Sequence, residues 1–304
     1  MAPESQLAGP PLMYYFPERM GMQTVALVGG TGNLGGLTLR ALLARGKSVR
    51  AIVRPGSDIS QLPREHVEVV RGDMLDPSSL APAMEGVSAL VTTAIGYSRR
   101  REGDSLRTDT EGNRNLVDAA RKAGVPRFVF LSILACDQAR DVPHFWAKKL
   151  TEDHLQEQGV PFVALRPGAF LGGPWLKAQL EKGQLMGMTG PAVRITFIST
   201  SDVSRALALA VDEPRALGKR IDLGGDRPLS SAELAEMLGR LMGRSLQPVM
   251  MPFRGDDMEA MVRFFQTGKY VADTRVQAEL FGPVPKMEEA ARKILADLGL
   301  LAPA

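Results

Sequence analysis

The sequence predicts an α/β fold, a doubly wound parallel sheet with a smaller, mostly helical C-terminal part. Three observations carry this. Short apolar, β-branched runs alternate with helical periodicities from residue 24 to residue 166. A glycine cluster, Gly29-Gly30-Thr31-Gly32-Asn33-Leu34-Gly35-Gly36, separates the first such run from the first helix. The alternation stops at Pro167-Gly168, and loops and helices dominate afterwards.

Each element has a local signal. Thr24-Val25-Ala26-Leu27-Val28 reads as a strand, and Leu34, Leu37, Thr38, Ala41 and Leu42 as one face of a helix over Asn33 to Arg45, closed by Gly46. Ser48 to Arg54 is the second strand, stopped by Pro55-Gly56-Ser57, and Val67 to Arg71 is the third, stopped by Gly72-Asp73. A short helix over Ser78 to Met84 follows an Asp76-Pro77 start. Ala89 to Thr93 is the fourth strand, Ser105 to Lys122 a helix, and Arg127 to Ser132 the fifth strand. Phe145 to Gln158 is the next helix and Pro161 to Arg166 the sixth strand. The near-continuous apolar strands suit a sheet buried on both faces.

Beyond residue 168 a strand is expected over Arg194 to Ile198, then a helix from Ser201 or Asp202 to Val211. Ser230-Ser231-Ala232-Glu233 opens a helix running to Met242, with the spacing of a capping box. Two further helices are expected near Asp256–Phe265 and Met287–Leu298. The expected organisation is a flexible extension over 1–22 and a nucleotide-binding domain over 23–170, to which 193–225 returns. A cap is expected over 171–192 and 226–304.

The 304 residues suffice for a large core. Charges of both signs are interspersed and the formal net charge is +3, so nothing argues for nucleic acid. Arg99-Arg100-Arg101 is followed by Glu102 and Asp104, and reads as a solvated loop. Cys136 is the sole cysteine, which fits a reducing compartment and an inert thiol. The three histidines show no metal-ligand spacing. With no secretory signal and no apolar run long enough to span a bilayer, the expectation is a cytoplasmic protein, monomeric or homodimeric.

The glycine cluster has the order that a dinucleotide pyrophosphate requires. Gly29 permits a tight turn off the strand, Gly32 lets backbone approach the phosphates, and Gly35 lets helix pack closely on strand. The helix N-terminus then presents N–H groups to the anion, with Thr31, Asn33 and Leu34 beside it. Arg54 ends the second strand, where NAD-binding proteins carry an acidic residue for the ribose hydroxyls. A guanidinium there suits a 2′-phosphate, with Ser57 as a further donor, and so favours NADPH over NADH. Thr93, Ala94 and Ile95 end the fourth strand, where backbone would flank the adenosine ribose. Gly168, Ala169 and Phe170 follow the sixth strand and so fall beside the nicotinamide.

Together with Glu111-Gly112-Asn113-Arg114-Asn115, Arg166-Pro167-Gly168-Ala169-Phe170 and Phe197 to Val203, these segments resemble the NmrA-like, atypical short-chain dehydrogenase/reductase family over about residues 23–300. The resemblance implies a Rossmann domain that binds NADP(H) or NAD(H). It implies that Asp73 meets the adenine amino group, with Met74 beside the ring. It also implies a catalytic set. Short-chain reductases use a serine and a tyrosine four residues before a lysine. Ser132 and Lys148 match, and Glu152 follows Lys148 as in the family, but His144 stands in the tyrosine position. Either His144 serves as the acid, its ordinary pKa near ~6.5 suiting the task, or Lys148 acts without it, as in isoflavone-reductase-like relatives. A third reading makes His144 a solvent-facing helix start after Pro143.

Trp146, Trp175, Met250, Met251, Phe264 and Phe265 are candidates for an apolar substrate pocket. The expected function is reduction of a carbonyl, quinone or conjugated double bond of an apolar or aromatic small molecule. The alternative is a nucleotide-binding sensor without turnover. A chaperone-like assembly factor is a third class, for which no residue speaks.

Overall fold

The computed structural model describes residues 23–96, 107–173, 175–250 and 256–302; the expected N-terminal extension and the Arg99-Arg100-Arg101 run lie outside them. β1 (Thr24–Val28) passes through the glycine loop into α1 (Asn33–Ala44), followed by β2 (Ser48–Val53) and β3 (Val67–Arg71). A 3-10 turn at Pro77–Ser79 and the single-turn α2 (Ala81–Met84) lead to β4 (Ala89–Thr92). Asp76 caps that turn by accepting from Ser78 N. The helix expected over 105–122 is divided. Arg107–Gly112 is a π-helical turn, and α3 (Asn113–Lys122) continues it; Ser105 and Leu106 lie outside the described residues. Gly112 allows this wide turn to sit against Met74, because a Cβ there would lie 2.9 Å from the methionine side chain. β5 (Phe128–Leu131), α4 (Pro143–Glu157) and β6 (Phe162–Pro167) complete the front part.

The rear part begins with β7 (Ala169–Leu171), α5 (Leu176–Glu181), β8 (Gln184–Gly187), β9 (Phe197–Ser199) and α6 (Thr200–Ala210). It continues through β10 (Arg220–Leu223), α7 (Ser231–Met242), β11 (Gln247–Met250), α8 (Asp256–Gln266), α9 (Arg275–Phe281) and α10 (Met287–Asp297). The capping box expected at the start of α7 is present in full, Ser230 and Glu233 each bonding the other's backbone N–H.

Seven parallel strands form the main sheet in the order β10-β6-β5-β4-β1-β2-β3. This is the Rossmann-like, doubly wound arrangement. α1, α6 and α9 cover one face through Leu39, Leu42, Leu207 and Phe281, and α2, α3 and α4 cover the other through Met84, Leu116, Val117 and Leu155. The strand order reverses between β1 and β4, and a crevice opens there at the carboxyl edge. Val28 is level with Ile52 of β2 and Thr92 of β4, so the loops after all three strands meet above the same edge.

The rear part has its own core around Leu171, Leu180, Leu185, Leu238 and Leu295, beside the two-stranded pairs β8–β11 and β7–β9. Gly168 joins the two parts. Its N–H donates to Leu223 O, and the next N–H, from Ala169, donates to Thr196 O at 2.8 Å. A Cβ at Gly168 would lie 2.4 Å from Thr196 O, a backbone atom with little room to yield. Gly168→Ala is therefore expected to lower stability by about 2 kcal/mol or more, read from urea unfolding; an unchanged midpoint would show that the junction relaxes without cost.

Candidate functional site

The glycine loop is shaped by contact. Gly29 has φ +89°, a left-handed conformation that favours glycine. A Cβ on Gly35 would lie 1.9 Å from Gly29 O, so α1 approaches β1 more closely than any side chain allows. Thr93 supports the loop from β4, donating from Oγ1 to Val28 O at 3.2 Å. No side chain caps α1 and no acidic residue stands in its first turn. The helix thus begins with N–H groups and a positive dipole end directed out of the sheet edge, which is what a pyrophosphate takes.

A cavity of about 260 Å³ lies beside this loop. Gly30, Thr31, Gly32, Asn33, Gly36 and Arg40 form one wall, and Asp58, Gln61, Leu62 and Pro63 form the other. Arg54 is exposed at the end of β2. Its carbonyl accepts from Ser57 N and from Arg71 Nη1, which fixes the turn carrying Ser57. Asp73 Oδ1 accepts from Leu75 N at 2.9 Å. Met74 is buried against Gly112, and its carbonyl accepts from Asn115 Nδ2. Ala94 is half-buried and Ile95 is exposed.

α4 carries the other candidates. Its spacing puts His144, Lys148 and Glu152 on one face, and all three are buried against the sheet. Lys148 Nζ lies 3.2 Å from Asp109 Oδ1 and 5.2 Å above the Phe130 ring. Asp109 Oδ2 accepts from Gly96 N at 3.1 Å. The Asp109 carbonyl accepts from Asn113 Nδ2. Lys149, the neighbouring cation, pairs instead with Asp153 at 2.6 Å.

The reading of His144 as a solvent-facing helix start is corrected here. His144 is only 7% exposed, so it does not face solvent. Burial pushes its pKa down to about 4; Asp109 opposes that shift and Lys148 adds to it. Burial therefore favours the neutral ring over the imidazolium that the ordinary value suggested. Ser132 is buried and donates its hydrogen to Glu152 Oε1 at 2.6 Å. Glu152, with no exposure, also accepts from Arg166 (2.9 and 2.6 Å) and from Arg220 Nε (2.8 Å). Cys136 adjoins this network, and burial pushes its thiol up to about 12, which keeps it inert.

The apolar candidates divide. Phe264 and Phe265 belong to a buried aromatic cluster with Phe145 and Tyr270, in core rather than pocket. Trp146 is half-buried, with Arg140 5.7 Å and Lys149 5.9 Å from its ring centre. Trp175 is 74% exposed at the start of α5, and Met250 is exposed on β11; Met251 lies outside the described residues. Ala169 is buried, while Phe170 in the middle of β7 and Ile95 in the loop after β4 are exposed and apolar. Sequence reasoning missed Asp109 and Arg40. Arg40 was accessible to it, since Gly32, Gly36 and Arg40 recur every four residues; Asp109 depends on a π-turn that has no sequence signature.

A family model described as the NmrA-like family matches residues 21–283. Among curated proteins, the chain is 29% identical over 248 residues to the photosystem II assembly factor Ycf39 of Synechocystis sp., covering 80% of this chain and 75% of that protein. It is 28% identical to the chloroplastic protein High Chlorophyll Fluorescence Phenotype 244 of Arabidopsis thaliana over 84% of this chain, and spans 65% of that relative's length. It is 26% identical to an NAD(P)H azoreductase of Xenophilus azovorans, over 74% and 76%. Among solved structures, an NADPH-dependent quinone oxidoreductase from Escherichia coli, complexed with NADPH, superposes with a TM-score of 0.73 at 23% identity, covering 89% of this chain and 99% of that one.

The depressed His144 pKa has a consequence for stability. The folded value, about 4, lies below the unfolded value near ~6.5, so the unfolded state binds more protons between them. The stabilisation is complete above the unfolded value and is lost as pH falls towards the folded one. Between pH 7 and pH 5 the protein should lose about 2 kcal/mol through this group. His144→Phe should remove that part of the acid sensitivity in urea titrations; equal losses in both proteins would refute the assignment.

Proposed function

This chain belongs to the NmrA-like family, and from that premise we propose that it is an NADPH-dependent reductase of apolar, conjugated acceptors. The residues present fit the dinucleotide. The cradle between Gly29 and Gly35 would be filled by any Cβ, and the cavity beside it is walled by the loop that follows β2. The glycine loop and the start of α1 would hold the pyrophosphate, with Arg54 and Ser57 at the adenosine 2′-phosphate. Asp73 and Met74 would meet the adenine, and backbone at Thr93, Ala94 and Ile95 the adenosine ribose. Lys148 would hold the nicotinamide ribose, and Gly168, Ala169 and Phe170 would flank the nicotinamide ring. When bound, the reduced nicotinamide supplies a hydride.

The single observation that carries the acceptor class is the state of His144. With the tyrosine replaced by a buried imidazole whose charged form is disfavoured, and the Lys148 ammonium paired with Asp109, that face of α4 lacks the tyrosine acid of the family's usual arrangement. Ser132 is committed to Glu152 and acts as a positioning residue for α4. A simple ketone needs a proton donor as its alkoxide forms. A quinone, an azo compound or an extended conjugated system instead forms a delocalised anion, which water can protonate afterwards. Phe170, exposed and apolar, supplies surface for such a planar molecule. The azoreductase among the relatives and the quinone oxidoreductase among the structural neighbours support the same class.

A second reading, a nucleotide-binding protein without turnover, is favoured by the relatives named as photosystem II assembly factors. Acceptor-dependent loss of NADPH absorbance separates the two. A naphthoquinone or an azo dye should be reduced and a cyclic ketone should not. Tight NADPH binding with no acceptor reduced would establish the second reading. Lys148→Met should weaken NADPH binding roughly tenfold or more and lower turnover with it. Unchanged binding would remove Lys148 from the cofactor site.

A further inference from the structure

We propose that Arg40 is a second ligand for the adenosine 2′-phosphate and so sets the preference for NADPH, an inference that rests on the cofactor reading above. Gly32, Gly36 and Arg40 lie on one face of α1. Because Gly36 has no side chain, the Arg40 guanidinium folds back along the helix. Nη1 and Nη2 lie 3.9 and 4.0 Å from where a Gly36 Cβ would stand. This brings the charge towards the N-terminal end of α1 and onto the wall of the cavity beside the glycine loop.

Among the described residues lining that cavity Arg40 is the sole cation. Its neighbours in sequence are already engaged: Arg45 pairs with Asp212 at 3.1 Å and Arg50 with Glu68 at 2.7 Å. The adenosine half of a dinucleotide runs from the start of α1 to the carboxyl end of β2. A 2′-substituent on it therefore falls between α1 and the loop after β2, the two walls of this cavity. Arg40 reaches that space from the helix, while Arg54 is exposed at the end of β2, outside the cavity lining. Gln61 adds a neutral donor on the opposite wall.

Asp58 is the one carboxylate of the cavity, and its Oδ1 accepts from Ser60 N at 2.8 Å. Its charge opposes a phosphate across the space from Arg40. The two residues thus act in opposite directions on the same atom group, Arg40 for the 2′-phosphate and Asp58 against it.

Equilibrium fluorescence titration of the full chain with NADPH and with NADH tests this. Arg40 is exposed, so Arg40→Gln keeps the helix, and Arg54→Gln serves as a comparison. Arg40→Gln should weaken NADPH roughly ten- to hundredfold, the range for a lost charge-assisted hydrogen bond, and leave NADH within about twofold. Arg40→Lys should restore part of the loss, and Asp58→Asn should tighten NADPH. Equal weakening of both nucleotides, or no change in either, would overturn the proposal. So would a loss of NADH affinity in Asp58→Asn, which would make Asp58 the ribose ligand. If the wild-type chain binds neither nucleotide, the cofactor reading fails as well. If it binds both and only Arg54→Gln alters the ratio, the Arg40 inference alone fails.

Discussion

An ammonium and a carboxylate, each at most 2% exposed, face one another across 3.2 Å beneath the carboxyl edge of the sheet. Both charges have lost their water, so each depends on the other and on the hydrogen bonds around them. Gly96 N supplies such a bond to the Asp109 carboxylate, Asn113 Nδ2 holds the Asp109 main-chain carbonyl, and the face of Phe130 lies under Lys148. The pair joins the loop after β4, the π-turn before α3 and the middle of α4. The arrangement of the candidate site follows from it. Along one stripe of α4, three buried polar groups meet three different solutions: a neutral imidazole at His144, a counter-ion at Lys148, and two arginines at Glu152.

The parallel sheet was legible because its strands are buried on both faces and read as unbroken apolar runs, as in β4, β5 and β6. The glycine loop was legible because a close approach of backbone to backbone leaves only one residue type at Gly35. The ionisation of His144 was not legible. It depends on how deeply the helix start is buried, and a spacing of four says which groups share a face without saying what covers them. Asp109 was hidden for a similar reason: an ordinary helix over that segment would give it a different direction. The paired phenylalanines of α8 looked like pocket lining because aromatic residues serve core and pocket alike; Phe145 and Tyr270 decide for core.

The same frame accommodates binding and turnover with few changes. The glycine cradle and the helix start depend on backbone alone, so they persist whatever chemistry follows. In the proposed reading, use of the nucleotide depends on a handful of side chains at the other end of the crevice. Relatives named as assembly factors and relatives named as reductases can therefore share this architecture.

Asp109 and Lys148 are 39 positions apart in sequence, and one carboxylate touches both the lysine and the loop after β4. The pair behaves as a gauge block between two helices, its length set by one aspartate side chain. A glutamate at 109 would retain every charge yet add a methylene, about the scale of displacement at which a well-placed group becomes a poorly placed one. The Asp109 side chain is thus one of several spacers here, since Thr151 to the Asp109 carbonyl and His154 to Asp118 also join the two helices, and a longer residue at 109 would have to displace all of them together.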